Sequence, residues 1–96
     1  MHVITKKRLI EFAGRYPAAR DPLLKWHALM TKTDFASFAE LRAAFGSADR
    51  VGKLTAFDIG GNKYRLIAAM HYNRRRVYIR HVLTHAEYDK DKWKEK

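Results

Sequence analysis

The chain predicts an α+β fold, with N-terminal helices packed on a small, mostly antiparallel sheet and a short C-terminal helix. Three observations carry that expectation. Apolar residues recur at helical spacing through the first half, two-residue alternation dominates the second, and Pro, Gly or Asn breaks separate the segments. Ninety-six residues suffice for one hydrophobic core and are short for two, so residues 1–96 are expected to form a single domain.

Val3 and Ile4 read as a short first strand. Thr5 then offers a cap for a helix from Lys6 to about Tyr16, whose Leu9, Phe12, Ala13 and Tyr16 share one apolar stripe. Lys6, Lys7 and Arg8 stand at the positive end of that helix's dipole, which mildly disfavours it. Pro17 closes the helix. Asp21 and Pro22 supply a cap and a first-position proline for a second helix, running through Leu23, Trp26, His27 and Met30 to about Thr31. The two helices should form a hairpin against the sheet, with Trp26 in the core.

Ser37 and Glu40 have capping-box spacing, opening a third helix through Leu41, Ala44 and Phe45 that Gly46 ends. Residues 47–52 read as a loop and Lys53 to Ile59 as a strand with Phe57 and Ile59 inward. Gly60-Gly61-Asn62 makes a tight turn. Tyr64 to Tyr72 and Arg76 to Leu83 then read as an antiparallel hairpin joined at Asn73-Arg74-Arg75. Alternation puts Leu66, Ala68 and Met70 on one face with Val77, Ile79 and Leu83. Arg65, Ile67, Ala69 and His71 go to the other face with Tyr78, Arg80 and Val82, so Arg65 and Arg80 should point together onto an open face. Thr84 is a candidate cap for the terminal helix, on which His85 and Tyr88 are neighbours. The tail from Asp89 to Lys96 alternates charges around Trp93, which should pin it to the body.

Charge narrows the function. Twenty Lys and Arg against ten Asp and Glu give a net charge of +10 and a pI near 10.2, and no acidic residue falls between Asp58 and Glu87. A polyanion is the expected partner of that window: its charge would attract RNA, DNA or an acidic protein segment, and on charge alone an anionic membrane surface, the plain alternative being a solvated basic surface. Without cysteine there is neither a disulfide framework nor a thiolate zinc site. His81 and His85 are four apart, as in a helical zinc pair, but the first falls within a strand and no third ligand is evident, so no metal is expected. No apolar run is long enough to span a membrane and the N-terminus does not read as a signal peptide, which makes the cytoplasm the default location and a membrane partner unexpected.

Three pieces of the second half, in this order and spacing, carry a resemblance: Phe57-Asp58-Ile59-Gly60-Gly61-Asn62-Lys63-Tyr64-Arg65-Leu66-Ile67, then Val77-Tyr78-Ile79-Arg80, then Thr84-His85-Ala86-Glu87-Tyr88-Asp89. The chain resembles the HigB toxins of type II toxin–antitoxin modules, within the RelE-like ribonuclease superfamily, over essentially its whole length. It departs from the family's frequent residues at Asp58, Tyr16 and Phe35. The resemblance implies a RelE-like fold and an endoribonuclease that needs no cofactor and cuts messenger RNA on the ribosome. It also implies a HigA-type helix-turn-helix antitoxin, through whose complex alone operator DNA is bound.

Under that resemblance, cleavage is expected to use the RNA's 2′-hydroxyl as nucleophile. Arg65 and Arg80 would stabilise the charged phosphorus centre, although Arg65 has an alternative partner in Asp58 across the turn. His85 is the candidate general acid or base, and Tyr88 a proton donor or a platform for a base. Lys53, Lys63, His71, Arg74, Arg75 and Arg76 are expected to grip RNA without reading its sequence. The competing expectation is a basic RNA- or ribosome-binding module without catalysis.

Overall fold

A computed structural model describes residues 1–94; the last two tail residues, Glu95 and Lys96, lie outside the described residues. The elements in order are β1 (His2–Ile4), α1 (Lys6–Arg15), a 3-10 turn (Pro17–Ala19), α2 (Arg20–Lys32), α3 (Phe38–Ala44), β2 (Asp49–Val51), β3 (Leu54–Ile59), β4 (Tyr64–His71), a second 3-10 turn (Tyr72–Arg74), β5 (Arg76–Thr84) and α4 (His85–Asp89). The strands form one sheet in the order β1-β5-β4-β3-β2. Every pairing is antiparallel except β1 with β5, because the α1–α2–α3 excursion carries the chain across the sheet before it returns. Among the described residues no helix is long and apolar enough to cross a membrane.

The helices cover one face. Leu9 and Phe12 of α1, with Leu23, Trp26 and Met30 of α2, pack onto Phe57, Leu66, Ala68, Val77 and Ile79. Trp26 meets Phe57 edge-on at 5.5 Å, as expected of a core tryptophan. The amino terminus is drawn into this layer: Met1 is buried, and its ammonium donates to the carbonyls of Met30 and Thr33 and pairs with Asp34 at 3.1 Å.

Several local expectations are corrected. Thr5 precedes α1 in the left-handed region, φ 74°, and its side chain makes no cap bond. The 3-10 turn after Pro17 runs directly into α2, so Ala19 occupies the cap position and Asp21 and Pro22 fall inside the first turn. Only half of the Ser37–Glu40 box forms: Ser37 Oγ accepts from Glu40 N–H, while the Glu40 carboxylate accepts from Ala36 N–H. The segment 47–52 contains β2, which pairs with β3, and Lys53 lies in the turn between them.

The largest correction concerns β5. Ile67 pairs with His81 but Ala68 pairs with Ile79, so Arg80 is an extra residue, a β-bulge. Beyond it the alternation is reversed: Val82 packs into the helix-side core and Leu83 joins the opposite face. That opposite face is not open. Leu54, Ala56, Ile67 and Ala69 form a second cluster closed by Trp93, with Leu83 and Tyr88 packed against it. The tail leaves α4 at Lys90, turns through a left-handed Asp91 and buries Trp93 as expected, on the side of the sheet away from α1 and α2.

Candidate active site

Arg65 is the centre of the described geometry. The turn between β3 and β4 uses Gly60 and Gly61 at φ of 62° and 71°, a region that favours glycine, and it returns Arg65 directly opposite Asp58. Arg65 Nε–H donates to Asp58 Oδ1 at 3.0 Å, Nη1–H donates to the Tyr64 carbonyl at 3.1 Å, and Nη2–H donates to Asn62 Oδ1. The guanidinium also lies over the Tyr88 ring, 5.1 Å from its centroid. Its side chain is 10% exposed, so this cation is largely removed from water and held by hydrogen bonds that use three of its five N–H groups. The ion pair with Asp58, the alternative weighed from sequence, is present.

The short helix α4 is fixed to the same place. Thr84 and Glu87 form a complete capping box: Thr84 Oγ accepts from Glu87 N–H at 3.2 Å, and Glu87 Oε1 accepts from Thr84 N–H at 3.0 Å. His85 N–H donates to the Lys63 carbonyl at 3.0 Å, tying the first residue of the helix to the Asn62–Lys63 turn. Tyr88 is held between the Arg65 guanidinium and the Trp93 indole, which stacks on it at 4.9 Å while its N–H donates to the Tyr88 carbonyl. The β-turn, the cap and the tail thus bring Arg65, Lys63, His85 and Tyr88 together.

His85 Nδ1 lies 2.9 Å from Asp89 Oδ2. A carboxylate there favours the tautomer with hydrogen on Nδ1 and leaves Nε2 as the acceptor. The imidazole is 42% exposed, open to a substrate. Asp89 closes the third motif piece, and its four-residue spacing from His85 on a helix is the signal in the sequence for this pairing.

The remaining candidates lie elsewhere. Arg80 and His71 line a cleft of about 320 Å³ with Thr5, Arg8, Ala69 and Tyr78, and His71 meets the Tyr78 ring edge-on at 5.1 Å. Arg65 pairs with Leu83, three residues further along β5 than Arg80, so the two arginines are separated by roughly 10 Å along the strand and do not converge as expected. Arg74, Arg75 and Arg76 occupy the exposed tip of the β4–β5 hairpin, where Arg75 adopts φ 55° and approaches Asp34 at 3.8 Å. Thr55 pairs with Ala68, which directs the turn holding Lys53 toward that same tip. His71 lies six residues beyond Arg65 along β4, roughly 20 Å of strand. His81 faces Lys90, Lys92 and Trp93 across a separate cleft, and among the described residues no group of three or more His, Asp or Glu is placed to hold a metal.

Comparison with known proteins gives a concordant result. The HigB_toxin family model, described as the RelE-like toxic component of a toxin–antitoxin system, matches residues 19–91. The mRNA interferase HigB of Escherichia coli O6:H1 (strain CFT073) is 36% identical over 93 residues, covering 94% of this chain and 90% of that protein. The mRNA interferase toxin HigB of Escherichia coli K12 is 36% identical over 92 residues, covering 93% of this chain and 88% of that protein. The mRNA interferase HigB of Shigella flexneri matches to the same extent.

Proposed function

The chain belongs to the HigB family of RelE-like toxins, the toxic components of toxin–antitoxin systems, and from that membership we propose that it is an endoribonuclease that cuts messenger RNA on the translating ribosome in the cytoplasm. A HigA-type helix-turn-helix antitoxin neutralises it, and operator DNA is bound only through their complex. The names of its relatives, mRNA interferases, support the reaction. The observation that carries the assignment of residues is the His85–Asp89 pair set beside the enclosed Arg65 cation at one end of the sheet.

In this reading His85 Nε2 accepts the proton of the RNA's 2′-hydroxyl while Asp89 holds the ring and balances the imidazolium that forms. The 2′-oxygen bonds to the adjacent phosphorus, and the P–O5′ bond breaks. The products are a 2′,3′-cyclic phosphate and a 5′-hydroxyl, the latter taking its proton from Tyr88 or from the His85 imidazolium. Arg65 supplies fixed positive charge to the crowded phosphorus centre and holds Tyr88 in place. A preorganised donor of this kind contributes roughly 2.7–4 kcal/mol to the barrier. Arg80, His71, Lys53, Lys63, Arg74, Arg75 and Arg76 hold the RNA backbone, Arg80 acting on a phosphate away from the one that reacts.

The test is controlled induction of the wild type and His85→Ala at matched protein levels, with growth and primer extension on a reporter message. Ribosome-dependent cuts that vanish in the variant are the expected result. Growth arrest by both proteins without cuts would show that the chain acts by binding alone.

A further inference from the structure

The helical layer has a second side, turned away from the sheet. There α1 and α2 leave a groove of about 270 Å³ lined by Ile10, Ala13 and Gly14 of α1 and by Leu24 of α2. Ile10 is 62% and Leu24 43% exposed, and with Ala13 and Gly14 they make a contiguous apolar strip open to solvent, the kind of patch that marks an interaction surface. Lys6 and Arg20 are its charged lining residues, and among the described residues no carboxylate lines it. Lys6 begins α1 and Arg20 begins α2, and the two helices run as a hairpin, so the cations mark opposite ends. From Lys6 to Gly14 the groove extends about 12 Å, two turns of helix.

Resting on the proposed function for the existence of an antitoxin, we infer that this groove docks an acidic amphipathic helix of that antitoxin, its apolar side chains seated over Ile10, Gly14 and Leu24 and its carboxylates on Lys6 and Arg20. The apolar strip sets the depth and spacing of the occupant, and the two terminal cations select its charge. A second copy of this chain, at +10, brings the wrong charge. The groove is on the helix side of the sheet, whereas Arg65 and Tyr88 are on the other. A helix docked there leaves His85 uncovered, so binding and cleavage are separable by mutation.

Gly14 provides a clean probe. A Cβ built there meets nothing within 4 Å and its φ is not positive, so Gly14→Glu adds bulk and like charge to the groove without straining α1, and glutamate is the better helix former. The antitoxin encoded with this toxin, fluorescently labelled, is titrated with the full chain. Gly14→Glu and Ile10→Asp are expected to weaken binding by about 30-fold or more, the range of an interface hot spot. Lys6→Glu with Arg20→Glu should weaken it at low salt and flatten its salt dependence. A synthetic amphipathic peptide with glutamate flanks should compete, and its lysine-flanked counterpart should not. Cleavage of a reporter message by these variants should match the wild type. Unchanged affinity in Gly14→Glu and Ile10→Asp overturns the inference, as does concentration-dependent self-association abolished by the same changes, which would make a second copy the occupant. Loss of affinity as expected with no cleavage by any form, wild type included, would leave the groove standing and remove the nuclease reading.

Discussion

At one end of the β4–β5 hairpin a single arginine is enclosed; at the other, three stand in water. Arg65 donates to Asp58, Asn62 and the Tyr64 carbonyl and lies on the face of Tyr88. Arg74, Arg75 and Arg76 are exposed, and the carboxylate that Arg75 approaches, Asp34, is shared with the amino terminus. The same residue type therefore does two physical jobs on one hairpin. An enclosed guanidinium has a fixed direction and little ionic screening, suited to stabilising charge that develops at one atom. Exposed guanidinia are mobile and screened by salt, suited to a polyanion whose phosphates are many and equivalent.

The strongest way to break this contrast is at Arg65. Arg65→Ala should lower cleavage by about 10²–10³-fold and destabilise the fold by about 2 kcal/mol in a denaturant titration, because Asp58 and Asn62 lose a shared charged partner. Arg65→Lys should recover neither in full, since an ammonium cannot span Asp58, Asn62 and the Tyr64 carbonyl at once. Next is Asp89→Asn, expected to lower the cleavage rate by about tenfold with the fold unchanged, because an exposed pair contributes little to stability while still orienting the imidazole. Asp89→Glu should restore part of the rate. Its single-turnover rate at saturating RNA distinguishes orientation of His85 from substrate binding.

At the tip, replacing Arg74, Arg75 and Arg76 together by Ala should weaken RNA association and reduce the salt slope of log K by about 2, from roughly 0.7 per cation lost, with stability unaffected. The smallest effect is beside it. Burial pushes the Tyr72 hydroxyl above its ordinary pKa of 10.0, with Arg50 opposing. The unfolded chain then ionises first as pH rises, so this contribution to stability is complete below about pH 10 and is lost as pH climbs through the folded value. Tyr72→Phe should make the thermal midpoint less sensitive to alkali while leaving it unchanged near neutrality.

The sequence made the hairpin, the amphipathic stripes of α1 and α2 and the cap at Thr84 legible, because each follows from a local period or a short-range side-chain bond. It concealed what depends on the third dimension. One extra residue at Arg80 reverses the facing of Val82 and Leu83 and separates Arg80 from Arg65, and nothing in alternation marks a bulge. Asp21 and Pro22 form a cap pattern overridden because the 3-10 turn at Pro17 already delivers a helical backbone at Arg20. Thr5 adopts a left-handed conformation that threonine disfavours, imposed where β1 must hand over to α1. Of the site, His85 and Tyr88 were legible as neighbours and Arg65 as a sheet cation. The partnership of Asp89 with His85, and the role of Trp93 in holding Tyr88, required the path of the tail.

The division of labour along the hairpin is tested most directly by single-turnover cleavage on programmed ribosomes, at increasing enzyme concentration, for His85→Ala and for the triple Arg74, Arg75 and Arg76 replacement. The account predicts that His85→Ala saturates at the wild-type concentration with a plateau rate lower by about 10² or more. The triple variant should need more enzyme to saturate and then reach a rate close to wild type. A normal plateau in His85→Ala, or a plateau in the triple variant as low as that of His85→Ala, would contradict it.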